Sequence, residues 1–245
     1  MSEPVTPSQF ALETAVQRRG ENLWTAELHA GWRIGAVPNG GYVLAIAGRA
    51  LSEALPHKDP LAVNAFYLAP TTLGPVECRV ELLRAGGNTS HASARLYQDG
   101  ELKMVVTAAY TTLARLQGPS WSGQARPHFP AWEACVSGGD SGLEFRQRVD
   151  IRLVEEAAVF RGGGEFRGWV QHADGAPPDA IALLMFADAF PPPVFDVLGV
   201  VGWVPTVELT VQLRGLPAPG PLQARLFSKH LTSGVIEEDG EYWDS

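Results

Sequence analysis

Val37-Pro38-Asn39-Gly40-Gly41-Tyr42 runs straight into the apolar stretch Val43–Leu55. Asn39 is a favoured N-cap residue, because its side-chain oxygen can accept from an unpaired N–H of the first helical turn. The stretch reads as a glycine turn opening a helix, and a helix that is apolar almost all round has to be buried. The first N–H groups of such a helix have no intrahelical partner, and its dipole favours negative charge there. With no side chain at Gly40 or Gly41, a ligand oxygen can approach those N–H groups closely. The site suits a phosphate, or the oxyanion formed when a carbonyl is attacked. An ordinary capped glycine turn accounts for the same residues, and the spacing alone leaves both readings open.

Strand signals surround this helix. Glu21–Trp32 precedes it, and Leu61–Leu68, Val76–Leu83, Ser90–Tyr97 and Leu102–Thr112 follow. Val76, Cys78, Val80 and Leu82 fall on one face, with Glu77, Arg79 and Glu81 on the other, the period of a half-buried strand. Gly74-Pro75, Gly86-Gly87-Asn88 and Asp99-Gly100 supply the turns. From about Gln117 to Gly142 the chain is rich in Gly, Pro and Ser and reads as a surface linker.

The order of elements then repeats. Phe145–Glu155 and Glu165–His172 read as strands, and Pro177-Pro178-Asp179 opens a second apolar helix, Ala180–Phe190. Strands resume at Val204–Leu213, Leu222–Lys229 and Val235–Trp243. Gly74-Pro75 matches Gly220-Pro221, Thr89-Ser90 approximates Thr232-Ser233, and Val63-Asn64 falls opposite Val207-Glu208. This is an internal duplication of a unit of roughly a hundred residues. Each buried helix needs wrapping, and antiparallel strands are the material at hand. The expected fold class is α+β, with units over residues 1–116 and 143–245 joined by a linker over 117–142. The first half ends with the closing strand Leu102–Thr112, whereas only Asp244-Ser245 follow Trp243. A last strand of the second unit is therefore expected to be missing, its edge exposed or paired with a neighbouring molecule.

Composition narrows the classes of function. The 245 residues carry a net charge of −8, and no Lys/Arg run points to nucleic acid or an anionic membrane. No basic leader with an apolar core and no membrane-length apolar run occurs, so a soluble cytoplasmic protein is expected. Cys78 and Cys135 make no metal pattern, and Cys78, on an apolar strand face, reads as a buried free thiol. The six histidines form no i, i+4 pair, and no Gly-x-Ser-x-Gly elbow occurs. Gly162-Gly163-Gly164 precedes a strand and reads as a hairpin turn, not a nucleotide loop. No metal and no cofactor are expected.

The segments Gly31-Trp32 through Tyr42, Tyr67-Leu68-Ala69-Pro70, Trp203 through Thr210, and Glu237 through Asp244 together resemble the double-hotdog acyl-CoA thioesterases, relatives of the type II enzymes. The resemblance implies two tandem hotdog units, each a central helix wrapped by an antiparallel sheet. It implies hydrolysis of a fatty acyl-CoA or related acyl thioester to free acid and CoA, and it admits a homodimer. In that family the glycine turn lies at the thioester carbonyl, here Gly41 with Asn39, Gly40 and Tyr42 as substrate contacts. A strand carboxylate that orients or activates water maps to Glu208, where type II relatives carry Asp. The hydroxyl maps to Thr232, with Ser228, His230 and Ser233 nearby, and the family's last-strand glutamine has no counterpart.

The residues themselves allow other weightings. Thr206, Glu208, Thr210 and Gln212 share one strand face, which is also how a solvated face looks. Asn64, matching Glu208 in the repeat, can hydrogen-bond a substrate or a water but cannot act as a base. Asp188, the only polar residue after the start of the second helix, is the alternative carboxylate, and single-hotdog thioesterases often carry their acid on that helix. It also sits near the helix C-terminus, where the dipole disfavours an anion. Two other functions stay open: a hotdog hydratase or dehydratase, whose usual Asp/His pair is not found, and a non-catalytic acyl-thioester binding protein.

Overall fold

Asn39 caps the first long helix as its sequence demands, accepting from the Tyr42 N–H at 2.9 Å. In this computed structural model, which describes residues 7–123, 125–137, 142–154 and 162–244, that helix runs from Gly40 to Ala54. The two glycines form its first turn and do not precede it. In chain order the first half contains α1 (Gln9–Glu13), β1 (Gln17–Arg18), β2 (Leu23–Leu28), β3 (Arg33–Ile34), β4 (Val37–Pro38) and α2 (Gly40–Ala54). It continues with β5 (Asp59–Tyr67), β6 (Gly74–Ala85), β7 (Ser90–Gln98) and β8 (Glu101–Thr111). The expected strand Glu21–Trp32 is shorter, because Ala30–Trp32 closes into a 3-10 turn.

The second half follows the predicted order with shorter pieces. It comprises β9 (Val136–Ser137), β10 (Val149–Leu153), β11 (Glu165–His172), α3 (Ala182–Phe186) and α4 (Val194–Leu198). After these come β12 (Glu208–Gln212), β13 (Leu222–Phe227), β14 (Leu231–Thr232), β15 (Val235–Ile236) and β16 (Asp239–Trp243). Glu155, the expected end of the strand at β10, lies outside the described residues, as do residues 155–161 before Gly162. The helix expected over Ala180–Phe190 is cut to α3. Pro191-Pro192-Pro193 offer no N–H to a continuing helix and bias the residue before them to extended backbone.

Every strand pairing among the described residues is antiparallel. Seven strands form one sheet in the order β1-β2-β6-β7-β8-β5-β12, and five form a second in the order β16-β13-β11-β10-β9. The strand carrying Glu208 therefore crosses over: β12 follows the second-half helices but pairs with β5 of the first half, Glu208 opposite Phe66 and Thr210 opposite Asn64. The stretch expected as one strand over Val235–Trp243 is two, with β15 turned back on β14 and β16 on β13. The linker does more than cross the surface. Its β9 pairs with β10, and Phe129 and Cys135 pack with Phe166 and Trp169 in a small second core. Residues 124 and 138–141 of that linker are outside the described set.

The main core is shared by both halves. Leu44, Ile46 and Leu51 of α2, and Leu184 and Phe186 of α3, are fully buried in one cluster. Gly41 and Gly48, seven residues apart on one face of α2, let α3 approach closely. A Cβ at Gly41 would lie 2.5 Å from the Met185 carbonyl oxygen, and one at Gly48 would lie 2.8 Å from Leu184 Cδ1. Charged pairs tie the halves together as well: Arg33–Glu144 at 2.7 Å, Arg148–Glu13 at 2.9 Å and Arg49–Asp179 at 2.7 Å. They keep partial solvent access, so they contribute little to stability. No helix among the described residues is long and apolar enough to cross a membrane.

Cys78 is buried as its strand period required, 2% exposed, with burial pushing its thiol up to about 12. Cys135 is buried too, and its thiol is likewise raised by desolvation. A thiol reagent should therefore titrate well under one equivalent in the native protein and both cysteines in denaturant. Rapid reaction of the native protein would show that the packing around β6 is looser than described.

Candidate active site

The packing of α3 against α2 places the end of the α3 segment over the first turn of α2. Asp188, two residues past α3, thereby reaches the helix N-terminus of the other half. Its Oδ2 accepts from the Gly41 N–H at 2.9 Å and from Asn39 Nδ2 at 3.0 Å, while Oδ1 accepts from Thr206 Oγ1 at 3.0 Å. Asn39 does two jobs: Oδ1 caps α2, and Nδ2 also donates to the Asp188 carbonyl at 2.7 Å. An anion near the C-terminus of its own helical segment is thus met by the N-terminus of another, which answers the dipole objection. Burial raises the Asp188 carboxyl above its ordinary range, against the opposing pull of these donors.

Asp188 lines a cleft of about 1640 Å³ between the β5–β12 seam and the β16 side of the second sheet. Apolar groups such as Val43, Met104, Leu183, Phe190 and Phe195 form much of its wall. Trp203 and Val207, 60% and 70% exposed, stand at its rim. Two tyrosines flank Asp188. Tyr67 donates to the Gly40 carbonyl at 3.0 Å and Tyr242 to the Phe186 carbonyl at 2.8 Å. Burial raises both phenols well above the ordinary value, and the charge of Asp188 adds to it. They are fixed, neutral walls.

A second polar group lines the same cleft. Glu208 Oε1 accepts from Thr210 Oγ1 at 2.5 Å and from Asn64 Nδ2, which also donates to Thr210 Oγ1 at 2.8 Å. A carboxylate, a hydroxyl and an amide are joined across the β5–β12 seam, with Oε2 unengaged. Glu238, on the turn between β15 and β16, faces the cleft as well. Its side chain is exposed to solvent.

Comparison with known proteins agrees with this architecture. Residues 28–114 match the acyl-CoA thioesterase N-terminal domain, and residues 122–245 match the acyl-CoA thioesterase C-terminal domain. The chain belongs to the acyl-CoA thioesterase family. A candidate thioesterase II of Thermobifida fusca YX is 28% identical in its crystal structure, with a TM-score of 0.91 over 98% of this chain and 93% of that one. A protein of Alicyclobacillus acidocaldarius with the hotdog fold aligns at TM-score 0.87 and 22% identity, over 98% of this chain and 93% of that one, and shows the fold. An uncharacterized protein of Mycobacterium tuberculosis is 27% identical over 89% of this chain and 84% of its own length.

Within this thioesterase-family chain the predicted site residues separate. Gly40 and Asn39 line the cleft. The Gly41 N–H does not stand open to a substrate oxygen, because Asp188 occupies it. Tyr42 is not a substrate contact: it is fully buried, stacked on Trp32 at 4.8 Å, and its hydroxyl donates to the Glu13 carbonyl at 2.7 Å. Thr232 is not brought to Glu208. It sits exposed on the β14–β15 ribbon, off the cleft wall, and the hydroxyl that meets Glu208 is Thr210. Ser228 also points elsewhere, and its buried hydroxyl has no hydrogen-bond partner. His230 pairs with Glu237 at 3.5 Å and Ser233 falls in the tight turn of the ribbon, with φ at +52°. Asn64 holds Glu208 and Thr210 and is not itself a cleft-lining residue.

Proposed function

We propose that this protein hydrolyses acyl-CoA, or a related acyl thioester, to the free acid and thiol, with a water activated by Asp188. The observation that carries the reading is a carboxylate of raised pKa, clamped at the N-terminus of α2, at the wall of a large apolar cleft. A base with a pKa nearer neutrality accepts a proton from an attacking water more readily than an ordinary carboxylate does. Thr206, bonded to the same carboxylate, is placed to hold that water in line. The apolar wall suits an acyl chain, and a thioester is activated enough to need no covalent nucleophile. Two tandem hotdog units are the architecture we infer, residues 1–116 and 143–245 with the linker between. Two free cysteines fit a reducing cytoplasm.

The Asn64–Glu208–Thr210 group supports a second reading, in which Glu208 is the base and Asp188 only joins the halves. Glu208→Gln decides between them. With Asp188 as the base, kcat on acyl-CoA should stay within about tenfold of wild type, since general-base catalysis is typically worth 10²–10⁴-fold. Thr232→Ala should leave kcat unchanged. A loss of about 10²-fold or more in Glu208→Gln, with Asp188→Asn mild, moves the chemistry to β12. A panel of acyl-CoA substrates tests the activity itself. Free thiol means a hydrolase, an altered acyl chain with thiol retained means a hydratase, and binding without product means a binding module.

A further inference from the structure

The run Val197-Leu198-Gly199-Val200-Val201-Gly202-Trp203 combines two properties that rarely go together. Every residue in it that is not glycine is apolar, and each of those is 47–73% exposed. Single exposed apolar residues are ordinary, but a continuous run of them marks a surface that meets a ligand or a partner. Leu198, Val201 and Trp203 line the mouth of the cleft that holds Asp188. No charged residue lies between Asp196 and Glu208.

The segment is tied down at both ends. At one end the buried Asp196 accepts from the Gly164 N–H at 2.7 Å, and its carbonyl accepts from the Gly162 N–H at 3.0 Å. At the other, Thr206 donates to Asp188 at 3.0 Å, and the Val207 carbonyl accepts from the Tyr67 N–H at 3.1 Å. From Val200 to Pro205 no hydrogen bond is made to a described residue. Gly199 and Gly202 have φ of +75° and +104°, with open space where a Cβ would stand, so the backbone can turn at each. Trp203 is three residues from Thr206, which keeps its Cα within about 11 Å of the Thr206 Cα. The indole is therefore leashed to the residue that bonds the Asp188 carboxylate.

We propose that residues 197–205 form a strap that folds over the acyl chain of a bound thioester, and that Trp203 is the residue that selects long acyl groups. The inference rests on the hydrolase reading given above and names its substrate class, the long-chain acyl thioesters. Leu198, the valines and the indole shed water only when an apolar group fills the cleft mouth beneath them. A dodecanoyl chain is long enough to run from Asp188 to the strap, whereas a butanoyl group ends close to the reacting carbon. The strap therefore gains contact from the first and none from the second. Its anchors at Asp196 and Thr206 let the middle move while Asp188 keeps its hydroxyl partner.

Chain length tests this. Wild type, Trp203→Ala and Trp203→Leu are compared on dodecanoyl-CoA and butanoyl-CoA, with thiol release as the readout. Trp203→Ala should raise KM for dodecanoyl-CoA by about 10–100-fold, the worth of one large apolar side chain packed on the ligand. Its kcat, and its KM for butanoyl-CoA, should stay within about threefold of wild type, because only binding of the distant chain is lost. Trp203→Leu keeps an apolar side chain and should recover most of the loss. Trp203 is exposed, so both variants should fold, with an unchanged melting temperature as the check. Tryptophan fluorescence with the hydrolysis-resistant thioethers S-dodecyl-CoA and S-butyl-CoA reads the strap without turnover. The dodecyl compound should move wild-type emission to shorter wavelength, the butyl compound should not, and Trp203→Leu should abolish the shift. Equal KM changes on both substrates, no change on either, or a shift that survives in Trp203→Leu overturns the strap. Wild type that shows the shift but releases no thiol overturns the hydrolase reading alone, and wild type that shows neither overturns both.

Discussion

Asp188→Asn is expected to lower kcat for acyl-CoA hydrolysis by about 10²–10⁴-fold while leaving substrate affinity largely intact. The amide keeps an oxygen to accept from the Gly41 N–H, and the Thr206 hydroxyl can turn to accept from its NH₂ group. Shape is kept and basicity is removed. Stability should move the other way, and the sign follows from linkage. The Asp188 carboxyl is raised in the folded protein, so its charged form is disfavoured by folding. That penalty is absent below the unfolded carboxyl pKa, grows as pH rises through the folded one, and is full above it. A neutral Asn escapes it, so at pH 8 the variant should melt at or above the wild-type temperature. Thermal melts at pH 5 and pH 8, with kcat measured on the same samples, check both halves. A variant that is slower and also clearly less stable would mean that Asp188 is chiefly a structural joint.

Gly41→Ala should damage stability and turnover together. Its Cβ would lie 2.5 Å from the Met185 carbonyl oxygen and 2.9 Å from Asp188 Cβ, and backbone cannot swing aside as a side-chain tip can. Overpacking of this kind costs about 1–3 kcal/mol. For a chain of this size each kcal/mol lowers Tm by roughly 2–4 °C. Because α3 has to back away from α2, Asp188 leaves its N–H donor, and kcat should fall by about tenfold or more, as misplaced catalytic groups do. Gly87→Ala is the control, since nothing lies within 4 Å of a Cβ there and its φ is ordinary. An unperturbed Tm in Gly41→Ala would show that the two helices are not in close contact.

The sequence-level reading succeeds where period and turn chemistry act locally. The cap at Asn39, the burial of α2, the alternation around Cys78 and the order of elements in both halves follow from residues close in the chain. It fails where tertiary pairing decides. Nothing in Val204–Leu213 says that β12 will leave the second-half strands and pair with β5, so the joining of Glu208 to Asn64 and Thr210 is not legible in the sequence, where position along the repeat favours Thr232. Tyr42 follows two glycines and so reads as part of the turn, but as a third helical residue it points inward onto Trp32. The apolar segment around Asp188 did carry a signal. A lone acid in such a segment needs a partner, and the partner proved to be the Asn39-Gly40-Gly41 turn that opens the first half.

One single-turnover experiment meets the central claim directly. Enzyme in excess is mixed with acyl-CoA in water enriched in ¹⁸O, and both the released acid and the peptide containing Asp188 are weighed by mass spectrometry. With Asp188 activating water, the acid of the first turnover carries one ¹⁸O and Asp188 carries none. Unlabelled acid together with ¹⁸O in Asp188 would show a covalent acyl-enzyme and contradict the account, as would the absence of any released acid.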